Sequence, residues 1–169
     1  LLLVAAGLLG RSFVRLLHVD PGYDAAGVLL ARIHLQPGQN DVDGRISQSI
    51  LDRVRAVPGV GHAGIGNMAP FAPMSAVMML MLRGESAESI NARARSYVVT
   101  LEYLEALSLR LREGRVFEAR DVAAGVRPVI INEEFARIHF NDGRPVLGRR
   151  FTSSLWGDAT IEIVGVVAD

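Results

Sequence analysis

Pro128-Val129-Ile130-Ile131-Asn132-Glu133-Glu134-Phe135-Ala136 is the stretch on which the fold turns. Residues 128–131 form an apolar, largely β-branched run, which reads as a short buried strand. Asn132 is suited to cap a helix, because its side-chain oxygen can accept from the free amides of a first helical turn. Glu133 and Glu134 then sit in that turn, where negative charge meets the positive end of the helix dipole. A strand running directly into a helix through Phe140 is therefore expected, ended by Asn141-Asp142-Gly143. Residues 160–167 alternate into a last strand.

Outward from this half, the amino-terminal part carries a comparable pattern. Residues 28–35 (Val-Leu-Leu-Ala-Arg-Ile-His-Leu) read as a strand, ended by Gln36-Pro37-Gly38. Residues 45–57 give the clearest helix: Ile46, Ile50, Val54 and Val57 recur at helical spacing, Leu51 widens the stripe, and Pro58-Gly59 stops it. Residues 60–68 are small and apolar and fit a second strand beside the first. Residues 69–75 hold two prolines and form a loop. Strands are expected at 77–82 and 93–100, separated by a polar turn over 84–91. Leu101, Leu104 and Leu107 mark a short helix. The fold class is α+β: two βαβ-like halves around an inserted β-rich subdomain.

The chain opens with a nine-residue uncharged run, Leu1-Leu2-Leu3-Val4-Ala5-Ala6-Gly7-Leu8-Leu9. No basic residue precedes it, so it is not a signal peptide as it stands. Crossing a hydrocarbon layer takes about 20 residues. Residues 1–17 are expected to be the end of a transmembrane helix, with Arg11 and Arg15 at the membrane surface. The alternative is a buried amphipathic helix of a soluble domain. Asp20-Pro21-Gly22 is strong turn chemistry and breaks the chain between anchor and domain. The expected division is thus helix end 1–17, linker 18–27 and core domain 28–169.

Composition excludes several functions. Charge is balanced at 18 basic and 18 acidic residues, without the basic excess of a nucleic-acid binder. Every basic residue is Arg. Without Lys there is no P-loop lysine and no Schiff-base chemistry, so ATP used by this system is hydrolysed elsewhere. Without Cys there are no thiolate nucleophiles, disulfides or cysteine zinc sites.

The local motifs resolve mostly into structure. Gly59-Val60-Gly61-His62-Ala63-Gly64 matches a dinucleotide fingerprint in spacing, but it follows a helix and enters a strand, the reverse of the required context. Asp41-Val42-Asp43-Gly44 lacks the ligands at either end of a calcium loop, and Asn40 or Asp41 reads better as a turn or helix cap. His18, His34, His62 and His139 show no ligand spacing. Glu133 and Glu134 are neighbours on different helix faces. No nucleophile elbow is present. No catalytic, metal or cofactor site is expected, and the chain is not expected to be an enzyme in its own right.

All five methionines, Met68, Met74, Met78, Met79 and Met81, fall within 14 consecutive positions. Thioethers ligate Cu(I), form adaptable apolar contact surfaces, or pack in cores. The contact surface for a substrate or partner is the functional reading taken here.

Several stretches in fixed order resemble the MacB/FtsX-type ABC permeases. They are Leu8-Leu9-Gly10-Arg11-Ser12-Phe13 with Val19 to Asp24, Leu51 to Val60, Val99 to Leu107, Arg112 to Phe117 with Asp121, Pro128 to Ala136, Pro145 to Arg149, and Ile161 to Val167. Ser108 departs from the pattern, standing where the family usually has Gly, as does Arg112-Glu113-Gly114-Arg115 in place of Arg-Gly-Arg. The resemblance implies a MacB-like periplasmic core domain, incomplete at its carboxyl end, on the outer side of a bacterial inner membrane. It implies partners too: an ABC ATPase subunit that uses the ATP, a periplasmic adaptor or substrate, and a second copy in a homodimer. It further implies that Asp20, Pro21 and Gly22 couple helix motion to the domain. The alternatives are a regulator of a periplasmic partner and a free-standing ligand-binding module.

Overall fold

The computed structural model describes residues 2–17, 27–35, 44–67, 77–84, 89–123, 125–153 and 159–169. Among them, six strands form one mixed sheet: β1 (Val77–Gly84), β2 (Ser89–Arg95), β3 (Leu111–Gly114), β4 (Arg127–Asn132), β5 (Arg150–Ser153) and β6 (Ala159–Val167). Helices α1 (Leu2–Leu17), α2 (Arg45–Arg55), α3 (Tyr103–Ala106) and α4 (Glu133–His139) accompany them, with a 3₁₀ turn at Ala119–Ala123. The α+β class holds.

The last strand organises the sheet. β6 pairs antiparallel with β5 through residues 159–162 and with β3 through residues 165–167. Along residues 161–167 it pairs in parallel with β4. A strand has two edges, so β5 and β3 follow one another along one edge while β4 takes the other. The parallel β4–β6 pair needs a crossover, and α4 lies within it. β1 continues the sheet from β5 and pairs antiparallel with β2.

The residues of the opening stretch behave as their chemistry requires. β4 ends at Asn132, whose Oδ1 accepts from the amide of Phe135 at 3.3 Å. A second acceptor joins it: Asp169 Oδ1 takes the Glu134 amide and the Asn132 side-chain amide, each at 2.7 Å. Two carboxylates, Glu133 and Glu134, complete the first turn. The helix then lays Phe135 and Phe140 over the sheet. Phe140 and Phe151 rings stand 5.5 Å apart, within a buried cluster with Ala92, Ile161 and Ile163. Val129, Ile131, Val146 and Leu147 pack around it.

The amino-terminal half is built differently from expectation. α2 forms where the 3.6 periodicity places it, but Leu51 is its buried residue, while Val54 and the following Val57 remain exposed. Its N-cap position is Gly44, in the left-handed region with no side-chain cap; Asn40 and Asp41 lie outside the described residues. Residues 28–35 make no strand. They have no ladder partner among the described residues, and Leu29 is 92% exposed. A sequence with strand propensity becomes a strand only against another edge. Residues 60–67 likewise yield one antiparallel bridge, Gly66 to Val99, and not a strand beside residues 28–35. Ile65 and Asn67 complete it: Thr100 donates to the Ile65 carbonyl at 2.9 Å and Asn67 to the Val98 carbonyl at 3.0 Å. The first βαβ-like half is therefore not closed as a ladder among the described residues. The loop expected at 69–75 lies outside them. The hairpin is longer than predicted on its first arm, and its second arm starts at Ser89 and ends at Arg95 instead of spanning 93–100. The short strands β3 and β5 give no periodic signal at four residues each, and pairing with β6 alone defines them.

α3 explains Ser108. Leu109 donates to the Leu104 carbonyl and Ser108 to the Glu105 carbonyl, each at 2.9 Å, the double bond that closes a helix through a left-handed residue. Ser108 holds that position at φ 51°, where a Cβ costs about 1–2 kcal/mol and glycine little. Ser108→Gly is accordingly expected to raise stability by about 1 kcal/mol in urea unfolding, offset in part by the freer unfolded chain. Phe151→Ala, in contrast, should lower it by roughly 3–5 kcal/mol in the same assay.

Candidate functional site

The methionine-bearing hairpin is the first candidate. β1 and β2 register Met78 with Ala94, Met79 with Arg93 and Met81 with Asn91. Ala92, opposite Leu80, is fully buried in the core cluster, and Ala94 packs against it. Successive residues of a strand alternate between faces. Met78, Met79 and Met81 lie on β1. Met68 and Met74 lie outside the described residues, as do Asp20, Pro21 and Gly22.

The charged groups form local clamps. Arg115 reaches Asp121 through two nitrogens at 2.7 and 2.8 Å, and Asp121 also accepts from the Glu118 amide at 2.8 Å. The Asp121 side chain is only 9% exposed. The Arg115 hydrogen bond holds its carboxyl below the usual carboxylate range, against a desolvation penalty that pushes the other way. Asp142 is held by Arg149 and Arg144, which depress its carboxyl strongly. Arg149 also donates to the carbonyls of Pro145 and Arg144 and lies 5.1 Å over the Phe140 ring. These groups fasten the turn after α4 to the core.

Several other titratable residues pair or pack locally. Glu133 faces Arg112 at 3.4 Å, and Glu134 pairs with Arg137 at 2.5 Å. His139 stacks on Phe135 with centroids 4.6 Å apart, and His62 stands 3.7 Å from Glu105. Among the described residues, no group of three or more histidines and carboxylates is arranged to hold a metal ion. The glycine-rich run serves packing: a Cβ on Gly64 would sit 2.5 Å from the Tyr103 Cα, so only glycine lets α3 approach. Gly59 ends the turn after α2 at φ 92°. Two shallow grooves are present, one along α2 beside Ile46 and Ile50, the other between Arg112 and Arg137.

The sequence contained the Arg115–Asp121 clamp as a matched stretch without showing its use. The partners stand six positions apart, and nothing in their spacing marks a bidentate pair across a 3₁₀ turn. The cluster at Asp142 was legible only as a turn.

α1 leaves Leu8, Leu9, Phe13 and Val14 exposed. Among the described residues, no helix is long and apolar enough to cross a membrane.

A parallel β4–α4–β6 unit, a long hairpin and a set of arginine clamps define an α+β domain. The chain belongs to the MacB-like periplasmic core domain family, whose pattern matches residues 8–169. In solved structures it is similar to the periplasmic region of MacB from Actinobacillus actinomycetemcomitans, at 17% identity and a TM-score of 0.48. It is also similar to the extracellular domain of the noncanonic ABC-type transporter YknZ from Gram-positive bacteria, at 20% identity and a TM-score of 0.48. Each similarity covers 72% of this chain, but 50% of the first protein and 57% of the second. The chain spans about half the length of those solved regions. No curated protein matches it in sequence.

Acidification should expose the Asp121 clamp. Its folded carboxyl titrates below the unfolded value of about 3.9, so its contribution is complete above that pH and fades as pH falls through the lower folded value. Asp121→Asn is expected to cost roughly 1–3 kcal/mol at pH 7. It should also flatten the loss of stability below pH 4, read by urea unfolding across pH.

Proposed function

We propose that this chain is a non-catalytic extracytoplasmic domain of an ABC-transporter permease, held at a bacterial inner membrane with the domain on the periplasmic side. The observation that carries this reading is the family match along residues 8–169. ATP is used by a separate nucleotide-binding subunit, in keeping with a chain that has no lysine for a P-loop. Motion of the membrane helices reaches the domain through residues 18–27, with Asp20, Pro21 and Gly22 as part of the coupling. The domain then moves a substrate, or hands force to a periplasmic adaptor. Residues 1–17 supply part of the anchor, and a homodimer would place two such domains side by side.

On this reading the run Met68, Met74, Met78, Met79 and Met81 carries the partner or substrate contact, and the two strand residues Met79 and Met81 offer its test. Thioether side chains suit that role because they adapt to irregular apolar surfaces. Truncating a contact that matters at an interface costs more than about 1 kcal/mol. Met79→Ser with Met81→Ser should therefore lower full-length transport several-fold at unchanged membrane level, and Leu at both positions should keep most of it. Full activity in the double Ser variant removes the methionines from the contact.

Topology is tested by placing a protease-sensitive tag between β1 and β2, at residues 85–88 of the full-length gene product. Cleavage from outside spheroplasts, with the protein retained in the inner membrane, is the expected result. A protected tag on a protein recovered in the soluble fraction overturns the assignment.

A further inference from the structure

We draw no further inference here: the strongest candidate, the exposed apolar surface patch at residues 28–35 with Leu29, Leu30, Ile33 and Leu35 open to solvent, carries nothing because nothing in the structure shows what covers it.

Discussion

The sheet depends on how closely other backbone can approach β6. At Gly165 the Arg115 carbonyl comes so near that a Cβ would stand 2.5 Å from it. Gly114, on the facing strand, takes φ 78°, and a Cβ there would meet the Val164 carbonyl at 2.2 Å. Two glycines thus allow β3 to turn away directly against β6. The Arg115 amide then donates to the Val164 carbonyl at 2.9 Å. Where β3 leaves off and β5 begins, residues 148–149 bridge the gap: Gly148 donates to the Ile163 carbonyl and Ile163 donates to that of Arg149. The middle of β6 is therefore bonded on this edge by loops, and its Ile163 can be 2% exposed without stranded polar groups.

Once β6 is fixed, the arginine clamps have a definite task. Arg115 leaves β3 beside Gly165 and turns to grip Asp121, which holds the 3₁₀ turn that leads into β4. Arg149 precedes β5 and grips Asp142, which holds the turn that leaves α4. Each clamp secures a connection into or out of a strand bordering β6. Guanidinium is suited to this, since one planar group can bind a carboxylate twice or bind carboxylate and carbonyl together. A chain whose basic residues are all arginine has this geometry available at every site.

Legibility in the sequence followed the range of the signal. The β4–α4 junction was readable because its information is local: β-branched residues, a capping Asn and two first-turn carboxylates stand in one run. α2 was readable from periodicity, although the face it buries was not, since Leu51 and not the Ile46–Val57 stripe is the most enclosed. The strand expected at residues 28–35 failed because strand formation is a property of two edges. β3 and β5 escaped notice for the same reason in reverse, being four-residue segments that exist through their partner. Ser108 was visible as a departure from a family pattern, yet only the backbone shows that the departure occupies a left-handed helix end. The linker residues Asp20, Pro21 and Gly22 belong to a segment outside the described residues.

The position of β6 also governs how the domain is made. Its three neighbours, β3, β4 and β5, all precede it in the chain, and none of them pairs with another of the three. While the ribosome is still short of residue 159, the β1–β2 hairpin and the short helices can form from nearby residues. Phe140, Phe151 and the apolar side of β4 still lack the central strand, whose Ile161 and Ile163 complete the buried cluster. The core therefore assembles late and over long sequence separations, a topology that slows folding and leaves apolar edges open meanwhile. That interval is when the nascent chain depends most on being kept from other surfaces.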